Sequence, residues 1–114
     1  MKDCIFCKII SKEVKSEIVY EDDKILVVKD INPQAPIHHL VIPKQHFSTL
    51  NDCSKKDIEI IGELILKAKK IAEKEPKLAN GYRLVLNNGK EAGQVVFHIH
   101  LHLLGGRRMA WPPG

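Results

Sequence analysis

The sequence predicts an α+β domain built around an antiparallel sheet. Segments with strand-like patterning come first, one long amphipathic helix follows, and further strand segments come after it. The links between neighbouring strand segments are of hairpin length, which favours antiparallel pairing. A chain of 114 residues with 44% hydrophobic content can bury a real core. We therefore expect a single domain over residues 1–114.

The first half of the chain supplies a short helix and three strands. Apolar residues between Cys4 and Ser11 have helical spacing and predict a short helix or turn. Strands are predicted over residues 17–21, 24–29 and 38–43, with a turn at 22–23 between the first two. Two prolines, Pro33 and Pro36, restrict the backbone of residues 30–36 and make this segment a shaped loop.

One long helix is predicted after Ser54, which together with Asp57 resembles an N-terminal capping box. An apolar stripe then recurs at helical spacing until Pro76, and we interpret it as core. Its members are Ile58, Ile61, Leu64, Ile65, Ala68, Ile71 and Ala72.

The most informative stretch is residues 97–104, in which histidines alternate with apolar residues. Alternation is the period of a β-strand, so His98, His100 and His102 are predicted to share one face. Phe97, Ile99, Leu101 and Leu103 are predicted to be buried on the other face. Same-face neighbours on a strand are about 7 Å apart, so one zinc ion cannot bind all three rings. A strand over residues 82–86 is the expected antiparallel neighbour.

Charge and composition limit the partners. The net charge of +4 is compatible with anionic ligands such as nucleotides. The lysines look like the solvated face of a helix, without interleaved aromatic residues, so we expect no nucleic-acid binding. We expect no membrane association and a cytoplasmic location, because no stretch resembles a membrane span or a secretory signal. No acidic cluster or Walker-type loop is present, so Mg²⁺ is not expected to be required.

The loop before the histidine stretch adds a candidate phosphate site. Residues 87–94 contain Asn and Gly residues whose amides can donate to phosphate oxygens. His100, flanked by two further imidazoles, is best placed to attack a phosphorus atom. A neutral imidazole is a competent nucleophile when its other nitrogen donates to a backbone carbonyl. His102 is then available to donate a hydrogen bond or a proton on the leaving-group side.

The histidine stretch resembles the signature of the histidine triad (HIT) family, His-φ-His-φ-His-φ-φ with φ apolar. Further segments are similar to its Hint branch, the nucleoside phosphoramidases: residues 30–36, 41–44, 92–94, 104–109 and 111–114. This resemblance implies a HIT fold, with a five-stranded antiparallel sheet, one long helix and one short helix. It also implies a homodimer with a ten-stranded sheet, in which the tail over residues 105–114 reaches toward the partner.

The resemblance implies hydrolysis of purine nucleoside phosphoramidates through a covalent nucleotidyl-histidine. His100 would be the nucleophile, with His98, His102 and His38 completing the catalytic set and His38 supporting the nucleophile. Asp30 would contact the ribose hydroxyls. The remaining nucleotide contacts would be Asn87 and Gly93 at the phosphate, Ile5, Phe6, Ile9, Val28 and Ile31 around the base, and Trp111 at the partner's site. Plain core is the competing interpretation for the apolar residues, and a loop-capping carboxylate for Asp30.

One position departs from the Hint pattern. Relatives in that branch carry a serine whose hydroxyl contacts the phosphate, and here Val95 stands in its place. The side chain of valine cannot donate this hydrogen bond, although the backbone N–H can. We therefore expect a slower or differently selective enzyme.

A Cys-x-x-Cys pair suggests a metal or redox site. Cys4 and Cys7 are typical of such pairs, and three cysteines do not form a disulfide framework. The segment also resembles the zinc-bearing members of the family, which implies His46 and His98 as two further ligands. Two thiolates and two imidazoles make a closed, structural zinc site. Reduced cysteines without metal and a redox switch are the alternatives.

Three functions remain open from the sequence. The first is the phosphoramidase, with dinucleotide polyphosphate hydrolysis and nucleotidyl transfer as related activities of the same family. The second is a nucleotide-binding regulatory module with little turnover, which the valine at position 95 favours. The third is a zinc hydrolase, which needs a third ligand and an open coordination position that the strand geometry does not supply.

Overall fold

The computed structural model describes residues 3–114 and shows an antiparallel sheet of five strands. The strands lie in the order β1-β2-β3-β5-β4, and every neighbouring pair is antiparallel. Their bounds are β1 Ile18–Glu21, β2 Ile25–Lys29, β3 Ile37–Pro43, β4 Tyr82–Val85 and β5 Leu101–Gly105. A short helix, α1, spans Ile5–Ile10, and a long helix, α2, spans Ile58–Glu73. The predicted α+β class is confirmed.

Strands β2 and β3 are buried on both faces. Alternate residues of β2 and β3 pack toward α2, where Val27 and Val41 meet Leu64. The intervening residues, among them Val28 and Leu40, pack under α1. A continuous apolar run is the pattern expected of a strand covered on both faces. The sheet is thus enclosed by α2 on one face and by α1 on the other.

The predicted elements of the first half and the long helix agree with the structure to within about two residues. The helix after the capping-box segment begins at Ile58 and ends before Pro76, as predicted. The Asp57 carboxylate accepts a hydrogen bond from the Ser54 backbone N–H at 2.9 Å. Strand β4 pairs with β5, which confirms the predicted neighbours.

The prediction of one continuous histidine strand is wrong at its first half. Residues 96–98 form bends, and β5 begins only at Leu101. The Ile99 N–H donates to the Phe47 carbonyl at 2.8 Å, so this part of the chain bonds outside the sheet. Phe97 is consequently 45% exposed rather than buried. Of the three histidines, only His102 lies within a regular strand.

The bend separates the imidazole of His98 from the other two. The ring centroids of His100 and His102 are 4.9 Å apart, so these two rings lie side by side. The His98 ring is fully buried and packs edge-on against His46, with centroids 4.8 Å apart. The predicted row of three rings is therefore divided between two sites.

Within residues 3–114, no helix is both long enough and apolar enough to cross a membrane.

Candidate functional site

A pocket of about 440 Å³ lies between α1, the β2–β3 region and the segment that precedes β5. Its lining contains every predicted nucleotide-binding residue except Trp111, together with three of the four predicted catalytic histidines, namely His38, His100 and His102. The lining residues among the nucleotide-binding predictions are Ile5, Phe6, Ile9, Val28, Asp30, Ile31, Asn87, Gly93 and Val95. Ile31 is 97% exposed and Val95 is 88% exposed, so both lie at the rim. The structure thus brings these predicted residues together around one pocket.

Several lining residues are missing from the sequence prediction. Leu40 lies two positions after His38 on the same strand, so the period of two could have identified it. Asn32 and Gln34 belong to the predicted proline loop, but the pattern of that loop indicates no pocket role for either. The other additions are Ser16, Lys29 and Val96. These three carry no distinctive pattern, and only the tertiary arrangement brings them to the pocket.

The ring of His100 is held by a backbone carbonyl. Its Nδ1 lies 2.8 Å from the carbonyl oxygen of His98, which can only accept, so Nδ1 carries the proton. The lone pair of this ring is therefore on Nε2. Burial lowers the pKa of His100, and the ring is neutral near pH 7. A nucleophilic imidazole needs an acceptor for the proton on its other nitrogen, and the His98 carbonyl supplies it.

A chain of hydrogen bonds fixes the proton of His102. The Gln34 backbone N–H donates to His38 Nδ1 at 3.0 Å, so the proton of the neutral His38 ring is on Nε2. That Nε2–H lies 2.9 Å from Nδ1 of His102, which must accept. His102 therefore carries its own proton on Nε2. Burial lowers the pKa of His102 to about 4, so this ring is neutral as well.

The structure places the His38 ring beside His102. The resemblance implied that His38 supports the nucleophile, and its Nε2 lies 2.9 Å from Nδ1 of His102 rather than beside a nitrogen of His100. The nitrogen of His100 that such support would occupy is already bonded to the His98 carbonyl. His38 therefore orients the second histidine of the pocket.

His98 also departs from its expected place in the catalytic set. Its imidazole is absent from the pocket lining, and its Nε2–H donates to the Pro43 carbonyl at 2.7 Å. Only its backbone carbonyl reaches the pocket histidines.

Asp30 divides its carboxylate between two contacts. One oxygen accepts from the Asn32 backbone N–H at 2.8 Å, which is the loop-capping interaction considered for this residue. The other oxygen lies 3.3 Å from Nε2 of His38. The carboxylate lines the pocket while it shapes the proline loop.

The candidate phosphate loop is fixed by a buried glutamine. The Gln94 side chain accepts from the Gly89 N–H at 2.7 Å and donates to the Ser48 carbonyl at 2.7 Å. Gly93 has a φ of +93°, a left-handed conformation that favours glycine. These contacts explain why this loop contains a glycine and a glutamine next to each other.

The two thiols and two imidazoles of the predicted metal site form a compact cluster. The Sγ atoms of Cys4 and Cys7 and the Nδ1 atoms of His46 and His98 all lie within 4.8 Å of one another. The Nδ1 atom of His98 is 3.4 Å from Cys4 Sγ and 3.6 Å from Cys7 Sγ, and the two Nδ1 atoms are 3.1 Å apart. A tetrahedral zinc ion with bonds of about 2.0–2.3 Å separates its ligand atoms by roughly 3.4–3.8 Å.

The protonation of His98 fits this cluster. Because its Nε2–H donates to a carbonyl, its Nδ1 lone pair points at the two sulfur atoms and is free to bind a metal. The two thiols, the two imidazoles and the bond from His98 to the Pro43 carbonyl therefore suit zinc.

A second group of possible metal ligands is not suited to bind a metal ion. Asp30, His38 and His102 also converge closely enough to surround a metal ion. However, the Gln34 N–H occupies Nδ1 of His38 and places the proton on the Nε2 atom that faces the group. This nitrogen can donate but cannot coordinate a cation. The group is a hydrogen-bonded chain rather than a metal site.

Comparison with known proteins identifies the family. A sequence model of the HIT domain matches residues 11–109. This chain belongs to the HIT family. Its sequence is 50% identical over 114 residues to a "14 kDa zinc-binding protein" of Brassica juncea, a match that covers 98% of this chain and 100% of the relative.

Solved structures support the same assignment. A HIT family hydrolase from Legionella pneumophila is 51% identical, with a TM-score of 0.95 and coverage of 98% of this chain and 100% of that one. A zinc-bound histidine triad protein from Mycobacterium smegmatis is 34% identical, with a TM-score of 0.81 and coverage of 99% and 81%. The predicted HIT fold is confirmed.

The hydrogen-bond directions predict the histidine tautomers. At pH 7.5, long-range ¹⁵N–¹H NMR spectra should show His100 protonated on Nδ1, and His38 and His102 protonated on Nε2. His38→Ala should remove the preference of His102 for a proton on Nε2, because Nδ1 of that ring loses its hydrogen-bond donor. His100 should keep its proton on Nδ1. A proton on Nδ1 of His102 in the unaltered protein would contradict the assigned chain.

Proposed function

We propose that this protein is a HIT hydrolase of the Hint type, which cleaves the P–N bond of purine nucleoside phosphoramidates. The observation that carries this proposal is the pair of neutral imidazoles that line one pocket in opposite tautomers. His100 offers a lone pair on Nε2, and His102 offers a proton on Nε2. A nucleophile and a hydrogen-bond donor therefore lie side by side, with ring centroids 4.9 Å apart.

In the first step, Nε2 of His100 attacks the phosphorus atom, and a bond between this nitrogen and phosphorus forms as the P–N bond to the amine breaks. The departing nitrogen takes up one proton from solvent. His102, with a pKa near 4, serves as a donor of a hydrogen bond rather than of a proton. In the second step, water cleaves the nucleotidyl-histidine, and one proton returns to solvent.

The shape of the pocket supports a nucleotide substrate. Apolar side chains of α1 and of the central strands, including Ile9, Val28 and Leu40, form a wall suited to a flat base. Asp30 lines the same pocket and suits hydroxyl groups of the ribose. Asn87 and Gly93 lie on its loop side, where amide donors suit the phosphate.

The decisive substitution is His100→Asn. We expect the release of AMP from adenosine 5′-phosphoramidate to fall by at least about 10³-fold, because the attacking nitrogen is lost. The assay is steady-state turnover with chelator-treated protein whose metal content has been measured. Turnover that needs added metal would instead favour a zinc hydrolase. Binding of AMP without any turnover by the unaltered protein would favour the regulatory module.

The valine at the phosphate loop should limit the rate. Val95→Ser restores a hydroxyl donor at the rim of the pocket, where a hydrogen bond to a charged group contributes about 1.5–3 kcal/mol. We therefore expect kcat/KM to rise by roughly 10- to 100-fold. Val95→Ala is the matched control, since it shortens the side chain without adding a donor. Equal rates for the serine variant and the unaltered protein would contradict this account.

We further propose that Cys4, Cys7, His46 and His98 bind one structural zinc ion. When bound, the ion would tie α1 to the segment before β5 and take no part in bond cleavage. Cys7→Ser should lose the stoichiometric zinc detected by mass spectrometry and unfold at a lower temperature. Cys53→Ser is the control, because this cysteine lies outside the cluster. Full zinc retention by the Cys7 variant would exclude this ligand set.

The open edge of the sheet suggests a homodimer with ten strands. Strand β4 is a terminal strand, and its Arg83 donates to the Ala110 carbonyl at 2.9 Å, which places the C-terminal tail beside that edge. Trp111 next to it is 82% exposed, in keeping with a role at the partner's site. Sedimentation velocity should give a mass twice that of the 12.9 kDa chain. Trp111→Ala should keep this mass, and a monomer at 50 µM, roughly the range of weak dimers, would contradict the proposal.

A further inference from the structure

The aromatic ring of Phe6 lies between the candidate metal cluster and the pocket. Phe6 is the buried residue of α1, and its ring packs into the apolar cluster of Leu26, Val28, Leu40 and Ile42. The lining of the nucleotide pocket includes it. A base-facing wall residue and a plain core residue are therefore both consistent with its burial alone.

The contacts of this ring with the histidines point to a further role. Its centroid lies 4.9 Å from that of His100, with the two ring planes at 83°. It also lies 5.9 Å from the centroid of His98, at 77°. Both are edge-on aromatic contacts of the kind that fix the relative orientation of two rings. Phe6 thus touches the proposed nucleophile and the residue whose carbonyl holds it.

His100 needs such a contact because its single hydrogen bond does not fix the whole ring. The bond from Nδ1 to the His98 carbonyl fixes the tautomer and the position of Nδ1. Rotation of the ring about Nδ1 would swing Nε2 away from the phosphorus. An aromatic ring set perpendicular to His100 blocks this rotation from one side, and His102 flanks it as well.

The position of Phe6 is itself fixed by its neighbours in sequence. Cys4 and Cys7 lie on either side of it along α1, and their sulfur atoms contact Nδ1 of His98 at 3.4 and 3.6 Å. The Cys4 sulfur also accepts from the Cys7 N–H and caps the helix. Helix α1 is therefore attached to the segment before β5 at two points that flank the phenylalanine.

We propose that Phe6 is a positioning residue that holds the imidazole of His100 in its attacking orientation. This inference rests on the proposed function for its kinetic consequence, but the ring orientation can be measured without turnover. Its role differs from that of Ile9, which lines the same pocket but has no aromatic ring to set against the imidazole.

The test compares Phe6→Leu and Phe6→Tyr with Ile9→Ala as the pocket control. Phe6→Leu should lower kcat for adenosine 5′-phosphoramidate by about tenfold or more and leave KM within about twofold, because orientation is lost while the apolar wall remains. Phe6→Tyr keeps the ring and should retain kcat to within about threefold. Ile9→Ala should raise KM and keep kcat.

A second readout is independent of catalysis. In ¹⁵N–¹H spectra, Phe6→Leu should shift the ring resonances of His100 and speed the solvent exchange of its Nδ1 proton, whereas Ile9→Ala should leave both unchanged. Absence of turnover by the unaltered protein would reject the proposed function but would leave this readout intact. Phe6→Met, of similar volume, replaces the leucine variant if thermal unfolding shows that the latter does not fold. An unchanged His100 spectrum together with a raised KM would overturn the inference and make Phe6 a wall residue only.

Discussion

The antiparallel pairing of β3 with β5 is the constraint on which the site depends. This register sets His38 opposite Leu104 and Leu40 opposite His102. Two residues that are 64 positions apart in sequence therefore place their imidazoles 2.9 Å from each other. A shift of either strand by one residue would turn His102 to the opposite face and separate the pair. The buried apolar side chains of both strands, packed under the two helices, hold the register in place.

The direction of a few hydrogen bonds decides the chemistry of each histidine. The imidazoles of four residues have fixed tautomers, namely His38, His98, His100 and His102. Residue type alone would allow any of these rings to attack phosphorus, donate a hydrogen bond or bind metal. Backbone groups remove this ambiguity, because a carbonyl only accepts and an amide only donates. The carbonyls of His98 and Pro43 and the N–H of Gln34 fix three rings directly, and His38 then fixes the fourth. The rings at the pocket and the ring at the thiol cluster are thus assigned to different tasks by the main chain.

Helix α1 connects the two sites although it has only six residues. One side of this helix carries the thiols of the cluster, and its buried ring contacts His100 of the pocket. A helix of this length has little stability of its own. Its position must come from tertiary contacts, namely the sulfur–imidazole cluster and the apolar packing of Phe6. A change at the thiol–imidazole cluster that moves α1 therefore also moves Phe6 in the wall of the pocket.

The sequence by itself determined the helices and strands of this protein and most of the residues that belong to its two sites. Periodicity predicted the long helix and the strands, because a side chain's burial follows the helix or strand period. The resemblance carried by the histidine motif and its companion segments implied the family and twelve of the eighteen residues that line the pocket. The Cys-x-x-Cys pair, with the two histidines that the resemblance implied, predicted the cluster. Each of these features is carried by residues whose pattern is local or whose combination is rare.

Only the tertiary structure decided where each imidazole points. Alternation predicted three histidines on one face, but the Ile99 N–H bonds to the Phe47 carbonyl and bends the chain before β5. His98 turns toward the thiols as a result, while His100 and His102 stay side by side with ring centroids 4.9 Å apart. The partner of His38 likewise follows from strand register. Such directions depend on hydrogen bonds between residues far apart in sequence, which no local pattern records.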